Sequence, residues 1–134
     1  TIGMIASKKA KLVYGVEIIN DAIKDARINA KNNNINNAYF YCADAKDFMR
    51  KYDGEAMSVV FVDPPRKGCS EQFLNSLAHF KPKKIVYISC NPETQVRDIK
   101  YLMDKGYTFN EVHPFDMFPQ TFHVETIVAL SLKK

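Results

Sequence analysis

Apolar and polar positions follow two different periods along the chain, and their alternation predicts an α/β fold. Four apolar, β-rich runs that are short enough to be strands lie at residues 11–16, 38–42, 57–62 and 84–89. Apolar or small residues at helical spacing follow them, at residues 20–31, 45–51, 71–80 and 93–104. Two further runs, 107–116 and 122–132, have no helix between them and predict an antiparallel pair. We therefore expect a mainly parallel sheet, covered on both faces, with an antiparallel C-terminal hairpin.

Polar and special residues mark where the predicted helices begin. Asn20 and Ser70 are candidate N-caps, because their side-chain oxygens can accept a free backbone N–H of the first turn. Pro92 stands at the start of the last helix, where its missing N–H is not needed.

The totals describe one ordinary globular domain over residues 1–134. Hydrophobic residues make up 46% of the chain and charged residues 25%, a composition that does not suggest disorder. The net charge of +4 is compatible with a nucleic-acid partner but does not demonstrate one. Three cysteines without metal-ligand spacing predict no metal site and fit a reduced, cytoplasmic setting. No apolar run in the sequence is long enough to span a bilayer.

Four side chains with useful chemistry each close a different predicted strand. These side chains are Glu17, Asp44, Asp63 and Cys90. In open α/β sheets, ligands bind in the crevice beyond the carboxyl ends of the parallel strands. We therefore expect all four side chains to line one crevice.

Cys90 is the candidate nucleophile. It ends the apolar run that begins at residue 84 and precedes a helix start, and the amino terminus of a helix favours the thiolate. The alternative is that Cys90 is a small buried hydrophobe, as free cysteines often are. Cys42 and Cys69 lack this position, so we assign Cys42 to packing and Cys69 to a loop.

Asp63 and Glu125 are the candidate acid and base. Asp63 begins the segment Asp63-Pro64-Pro65-Arg66, whose two prolines hold a rigid, extended lip directly after a strand. Glu125 lies in a late apolar strand, where a carboxylate is costly unless it has a partner or a task as general base or acid. The alternatives are a surface acid at Asp63 and an outward-facing edge-strand residue at Glu125.

Glu17 and Asp44 are weaker candidates when each is taken alone. Glu17 is placed to accept hydrogen bonds from ribose hydroxyls. The glycine-rich loop that usually precedes such an acid is not in the chain. Taken alone, Glu17 is therefore better explained as a solvated acid. Asp44 could bind an adenine amino group, cap the following helix, or do both. The lone histidines His113 and His123 are interpreted as structural.

Three segments together resemble the RNA uracil-5-methyltransferases, which make 5-methyluridine in 23S rRNA or tRNA. The segments are Asp63-Pro64-Pro65-Arg66-Lys67-Gly68, then Ser89-Cys90-Asn91-Pro92 with Thr94 and Arg97-Asp98, and then Phe118-Pro119-Gln120-Thr121 with His123-Val124-Glu125. The opening Thr1-Ile2-Gly3-Met4-Ile5-Ala6 is similar to the end of the family's S-adenosylmethionine loop. Only the combination of the three segments, in this order over the whole chain, is specific.

The resemblance implies methyl transfer to C5 of a uridine in RNA through a covalent cysteine adduct, with 23S rRNA as the favoured target. Cys90 would add to C6 of the uracil, which makes C5 nucleophilic toward the methyl group. Glu125 would then remove the C5 proton, and the thiol would leave. Asp63 would lie between the cofactor and the target base.

The implied cofactor is S-adenosyl-L-methionine, and the implied fold is the Rossmann-like class I methyltransferase fold. Glu17 would hold the cofactor ribose, Asp44 would hold its adenine, and Thr1 would line the cofactor pocket. The implied partner is the RNA substrate, with no membrane involved.

The chain begins at Thr1 rather than at Met, and the resemblance implies an N-terminally truncated catalytic domain. The family's first strand, which is central in its sheet, and most of its glycine loop would precede Thr1. The RNA-binding and iron–sulfur parts of many members would also lie upstream. We therefore expect the isolated fragment to be poorly stable or to self-associate, and a monomeric fragment that melts cooperatively would contradict this.

Two other functions remain open. An amino-methyltransferase acting on adenine or on a protein glutamine carries a similar Asn/Asp-Pro-Pro motif, but it has an aromatic residue where Arg66 stands and needs no cysteine nucleophile. A non-catalytic module that binds cofactor or RNA would show no turnover, and its binding would survive the Cys90→Ala substitution. A dehydrogenase has no support here beyond the shared sheet.

Overall fold

A computed structural model describes residues 1–133, and its strands and helices alternate as the pattern predicts. In chain order the elements are α1 (Ile2–Ala6), β1 (Val13–Glu17), α2 (Asn20–Asn32), β2 (Ala38–Cys42), α3 (Ala45–Lys51), β3 (Val59–Val62), α4 (Glu71–Phe80), β4 (Lys84–Ser89), α5 (Pro92–Asp104), β5 (Tyr107–Phe115) and β6 (Glu125–Leu132). The chain divides into two compact units, one that ends at Tyr52 and one that begins at Asp53.

The first unit is built on a small parallel sheet. Strands β1 and β2 pair in parallel, so that Glu17 lies opposite Cys42 at the carboxyl end of the pair. Helix α2 covers this sheet and buries Ile23 and Ala30. The ring of Tyr14 lies 5.6 to 6.3 Å from four other aromatic rings, those of Tyr39, Tyr41, Phe48 and Tyr52. Aromatic contacts therefore supply much of the packing in this unit.

The second unit contains a mixed four-stranded sheet in the order β3-β4-β6-β5. Strands β3 and β4 are parallel, whereas β6 runs antiparallel to both β4 and β5. Seven hydrophobic side chains in this unit have no exposed surface at all: Leu77, Ile85, Tyr87, Leu102, Tyr107, Val128 and Leu130. The core of the described chain therefore lies mainly here.

The predicted α/β class and the antiparallel hairpin near the C-terminus are confirmed. Strands β2 and β4 and helix α3 occupy the predicted residues, because each run is bounded by residues that break its pattern. Strand β6 begins at Glu125 rather than at residue 122, since residues 116–124 form bends, a turn and irregular backbone. Between Thr1 and Lys133, no helix combines the length and apolar character needed to cross a membrane.

The predicted helix caps are partly confirmed. Ser70 is the N-cap of α4, and its side chain accepts a hydrogen bond from the Phe73 N–H. The prediction of Asn20 as an N-cap is wrong, because Ile19 keeps an extended backbone and its carbonyl already accepts the N–H of Ile23. Asn20 therefore lies inside the first turn of α2.

Candidate active site

Cys90 lies directly after β4, at the bend that leads into α5. The buried hydroxyl of Ser89 bridges this bend, because it donates to the carbonyl of Asn91 and accepts the N–H of the same residue, both at 3.0 Å. Asn91 in turn caps α5, and its side chain accepts the N–H of Glu93 at 3.1 Å. The thiol of Cys90 is half-buried and free. The backbone on both sides of Cys90 is therefore held by hydrogen bonds.

Glu125 lies at the same end of the sheet as Cys90. Ser89 and Thr126 are opposed residues in the antiparallel pair of β4 and β6. Cys90 follows Ser89, and Glu125 precedes Thr126, so each stands one position beyond this pair. Opposed Cα atoms in antiparallel strands are about 4.5 to 5.5 Å apart. The strand register therefore brings the predicted nucleophile and the predicted base to neighbouring strand ends.

A buried glutamine braces these two strands. The Gln95 side chain, on α5, accepts a hydrogen bond from the Thr126 hydroxyl at 2.7 Å. Its amide group donates to the carbonyls of Tyr87 and Thr126, at 3.2 and 3.3 Å. Because the acceptors belong to β4 and β6, the glutamine links the strand before Cys90 to the strand that begins at Glu125.

Asp63 follows β3 at the same end of the sheet. It comes one residue after the pair formed by Val62 and Tyr87, and its side chain is exposed. The loop that follows is tied to the start of α5, because the Arg66 carbonyl accepts hydrogen bonds from Asn91 Nδ2 and Thr94 Oγ1, both at 3.0 Å. The segment after Asp63 is therefore anchored to the helix that follows Cys90.

His123, expected to be structural, has a side-chain contact that the sequence does not predict. The Arg66 guanidinium lies 3.0 Å from Nε2 of His123, two residues before Glu125. A guanidinium can only donate, so Nε2 accepts and the ring proton lies on Nδ1. The Phe118 ring meets the same imidazole edge-on, with ring centroids 6.4 Å apart. The three segments that carry the family resemblance are thus joined by side-chain contacts; no spacing rule relates residues so far apart.

The first unit holds the residues predicted to bind the cofactor. Glu17 ends β1, and its Oε1 accepts the N–H of Ile19 at 3.0 Å. Asp44 is the N-cap of α3, since its Oδ1 accepts the N–H of Lys46 at 2.8 Å. Both acids lie at the carboxyl edge of the β1–β2 sheet. Thr1 is the N-cap residue of α1, without a side-chain cap bond.

The structure therefore groups the predicted residues by unit. Two acids, Glu17 and Asp44, share one sheet edge in the first unit, and Asp63, Cys90 and Glu125 share one sheet edge in the second. A cleft of about 530 Å³ in the first unit lies elsewhere, between α2 and β2, and none of the predicted residues lines it.

The two remaining cysteines differ from each other. Cys42 is exposed, so its assignment to packing is wrong; its side chain lies at the end of β2, 3.5 Å from the Ile18 carbonyl oxygen. Cys69 lies in the loop after β3, as expected, and is partly buried. Over residues 1–133, no group of three or more His, Cys, Asp or Glu side chains is arranged to hold a metal ion.

This α/β fold, with its C-terminal antiparallel pair, is the fold of S-adenosylmethionine-dependent methyltransferases, Rossmann-like enzymes. Residues 2–133 match the family model described as tRNA (uracil-5-)-methyltransferase. The chain belongs to this family.

Solved and curated relatives agree with the assignment. A tRNA (uracil-54, C5)-methyltransferase of Pyrococcus abyssi, solved with S-adenosyl-L-homocysteine, is 38% identical with a TM-score of 0.80, over 96% of this chain and 31% of that one. An uncharacterized RNA methyltransferase of Clostridium acetobutylicum is 52% identical over 97% of the chain, and one of Staphylococcus aureus is 50% identical over 99%. The chain spans 29% and 30% of these two proteins.

Proposed function

We propose that residues 1–134 form the catalytic domain of an enzyme that transfers a methyl group from S-adenosyl-L-methionine to C5 of a uridine in RNA. The observation that carries the proposal is the placement of Cys90 and Glu125, each one residue beyond the Ser89–Thr126 pair. C5 methylation of uracil needs both a nucleophile for C6 and a base for the C5 proton. Membership of the family supports the same reaction.

The acids of the first unit fit the proposed cofactor. S-adenosyl-L-methionine presents ribose hydroxyls and an adenine amino group as hydrogen-bond donors, and carboxylates only accept. Glu17 and Asp44 supply two carboxylates at one sheet edge, where α/β folds bind nucleotides. In the proposal Glu17 binds the ribose, Asp44 binds the adenine and Thr1 lines the pocket. The cofactor supplies the methyl group, carried on a positively charged sulfur.

In the proposed reaction, Cys90 forms and then breaks one covalent bond. Its thiolate gives an electron pair to C6 of the uracil, and the electrons of the C5–C6 double bond move onto C5 and the neighbouring carbonyl. C5 then attacks the methyl carbon of the sulfonium, whose carbon–sulfur bond breaks and leaves its electron pair on the sulfur of a neutral thioether. Glu125 removes the C5 proton, the double bond forms again, and the C6–S bond breaks to return the thiolate. Asp63 follows β3 at the same sheet edge, and in the proposal it contacts both the cofactor and the target base.

The RNA target is part of the proposal. The family description and the Pyrococcus abyssi relative name tRNA, whereas our expectation from the sequence favours 23S rRNA. We propose a cytoplasmic enzyme, where three free cysteines stay reduced. Incubation with S-adenosyl-L-methionine labelled in its methyl group, and with tRNA and 23S rRNA in separate reactions, identifies the target.

The first experiment traps the adduct. The protein that carries this chain is incubated with S-adenosyl-L-methionine and RNA containing 5-fluorouridine, and a denaturation-resistant protein–RNA adduct is sought. Fluorine cannot leave C5 as a proton, so the C6 thioether persists. We expect the adduct to disappear in Cys90→Ala and to remain in the matched control Cys42→Ala. Methyl transfer to RNA without any adduct would overturn this mechanism and favour an amino-methyltransferase.

A second variant tests the base. In Glu125→Gln the side chain keeps its size but can no longer take the C5 proton. We expect the methylated adduct to accumulate on ordinary uridine RNA, while turnover falls on the order of 100-fold or more. Normal turnover by Glu125→Gln would show that another group removes the proton.

A further inference from the structure

A buried carboxylate holds the far end of the loop that follows Asp63. Asp98, on α5, is fully buried, and its Oδ2 accepts the N–H of Cys69 at 2.7 Å and the hydroxyl of Tyr87 at 2.5 Å. Its Oδ1 pairs with the Arg97 guanidinium at 2.7 Å. Both oxygens of the carboxylate are therefore used, which is what a buried charge requires.

The guanidinium of Arg97 extends this contact along the loop. Its Nη2 donates to the carbonyls of Lys67 and Cys69, both at 3.1 Å. The loop between Pro65 and Cys69 is thus held at one amide by Asp98 and at two carbonyls by Arg97. It has no strand partner, so these bonds and those to the Arg66 carbonyl fix its position.

Gly68 shows how closely the loop packs on this pair. Its φ is +73°, and a Cβ built there would lie 2.7 Å from Arg97 Nη2 and 2.7 Å from Asp98 Oδ2. Only glycine lets the backbone approach the pair so closely. The loop and the ion pair therefore fit each other as one unit.

Three groups that contact Asp98 or its loop have raised pKa values. Burial, and then the hydrogen bond to Asp98, raise the pKa of Tyr87 well above its ordinary value. Burial raises the pKa of Cys69 to about 11. The hydrogen bond to Asp98 raises the pKa of Arg97. The hydroxyl and the thiol therefore remain neutral, and the guanidinium stays charged.

We infer that Arg97 and Asp98 are positioning residues, which dock the Pro65–Cys69 loop on α5 and thereby set Asp63 and Arg66 relative to Cys90. Helix α5 begins two residues after Cys90, so the thiol and the loop take their places from the same helix. The inference rests on the proposed function, in which the thiol of Cys90 adds to a uracil that lies against the Pro65–Cys69 loop.

The test compares Arg97→Lys and Arg97→Gln in the protein that carries this chain. Lysine can replace one of the guanidinium bonds, whereas glutamine leaves Asp98 without a cation. Single-turnover methyl transfer is measured at saturating RNA and S-adenosyl-L-methionine. We expect the rate constant to fall on the order of 10-fold for lysine and 100-fold for glutamine, because small misplacements of reacting groups are costly. The dissociation constant of S-adenosyl-L-methionine should stay within about twofold, since Arg97 is not among its proposed contacts.

Tyr107→Phe is the matched control for stability. Tyr107 is fully buried, and its hydroxyl donates to the Pro82 carbonyl at 2.9 Å, at the opposite end of the sheet from Cys90. We expect it to lower the melting temperature while the rate constant stays unchanged. The inference would be overturned if Tyr107→Phe lowered the melting temperature as much as an Arg97 variant and lost as much of the rate. The loss of rate would then come from general destabilisation.

The outcomes separate the inference from the function on which it rests. Suppose that the unsubstituted protein forms the 5-fluorouridine adduct and that the Arg97 variants transfer methyl groups at the same rate as this protein. That result would overturn the inference and leave the proposed function standing. An unsubstituted protein that transfers methyl groups but forms no adduct would overturn the proposed function, and the inference with it.

Discussion

The two units hold their functional side chains in different ways. In the first, Glu17 and Asp44 each accept a hydrogen bond from a backbone N–H only two residues away. In the second, Cys90 and Glu125 adjoin a network of buried polar side chains that joins β4, β6 and α5. Side chains from different strands that act on the same substrate atom pair need contacts between elements to fix their spacing. A side chain that binds a ligand by itself can be oriented by a hydrogen bond within its own loop.

The burial of the two units differs in the same sense. Among the described residues, the first unit buries only Ser7, Ile23 and Ala30, whereas the second buries most of the core, including the charged Asp98. A unit with few buried side chains derives little stability from its own packing. That residues 1–134 alone are poorly stable or self-associate stays a prediction. If they are poorly stable, we expect the first unit to unfold more readily than the second.

Truncation of buried and exposed side chains should give the largest difference in stability between the two units. Leu77→Ala removes a fully buried side chain of α4, and we expect it to lower the free energy of unfolding by about 2 to 5 kcal/mol. Ile28→Ala removes a side chain of α2 that is 56% exposed, and should cost less than about 0.5 kcal/mol. Urea unfolding of both variants measures the difference. Equal losses would mean that burial is not what distinguishes the units.

The cysteines give the next largest effect. Because burial raises the pKa of Cys69 to about 11 from an ordinary value of 9.0, its thiolate fraction at pH 8 is about 100-fold lower than that of an unperturbed thiol. We expect iodoacetamide to label the exposed Cys42 quickly and Cys69 very slowly, as measured by peptide mass spectrometry. Labelling of Cys69 at the rate of Cys42 would contradict the closed packing of its loop.

The same shift has a consequence for stability. The folded state keeps Cys69 neutral, whereas in the unfolded chain it ionises near its ordinary pKa. The contribution of this group is therefore complete below pH about 9 and is lost as the pH rises toward about 11. Unfolding of Cys69→Ala at pH 8 and pH 10 isolates this contribution, because the variant should lose less stability over that interval.

The elements could be predicted from the sequence, but the contacts that unite the second unit could not. Strand β4 is a run bounded by a proline turn and by Asn91-Pro92, so local rules find it. The pairing of Asp98 with Tyr87 and Cys69, and that of Arg66 with His123, joins residues far apart in the chain. Hydrophobic periodicity reports which face of an element is buried, not which side chain it meets.

The error at Asn20 has a different cause. An asparagine before an amphipathic run is a good local N-cap, yet the chain leaves β1 so that Ile19 takes the cap position. The Glu17 carboxylate accepts the Ile19 N–H and holds this turn. Cap position depends on where the preceding strand ends, and propensity alone does not contain that information.

Two glycines of the second unit test how tightly the Pro65–Cys69 loop packs on Arg97 and Asp98. Gly68 and Gly106 both have positive φ, +73° and +96°, so alanine at either position costs about 1 to 2 kcal/mol of backbone strain. At Gly106 the new Cβ would meet only Leu132 Cδ1, at 4.0 Å, whereas at Gly68 it would crowd Arg97 and Asp98. We expect Gly68→Ala to cost about 1 to 3 kcal/mol more than Gly106→Ala. Equal unfolding free energies would show that the loop tolerates displacement.

The smallest effect concerns Asp44, where one side chain serves a structural bond and a proposed ligand contact. Asp44→Ala removes the N-cap acceptor of α3 and should cost about 1 kcal/mol, whereas Asp44→Asn keeps an acceptor and should cost only a few tenths. In the proposal the same acceptor meets the adenine amino group. We therefore expect alanine to weaken S-adenosyl-L-methionine binding about fivefold and asparagine to leave it nearly unchanged, by calorimetry. An alanine variant with the lost cap but undiminished cofactor affinity would leave Asp44 a structural residue only.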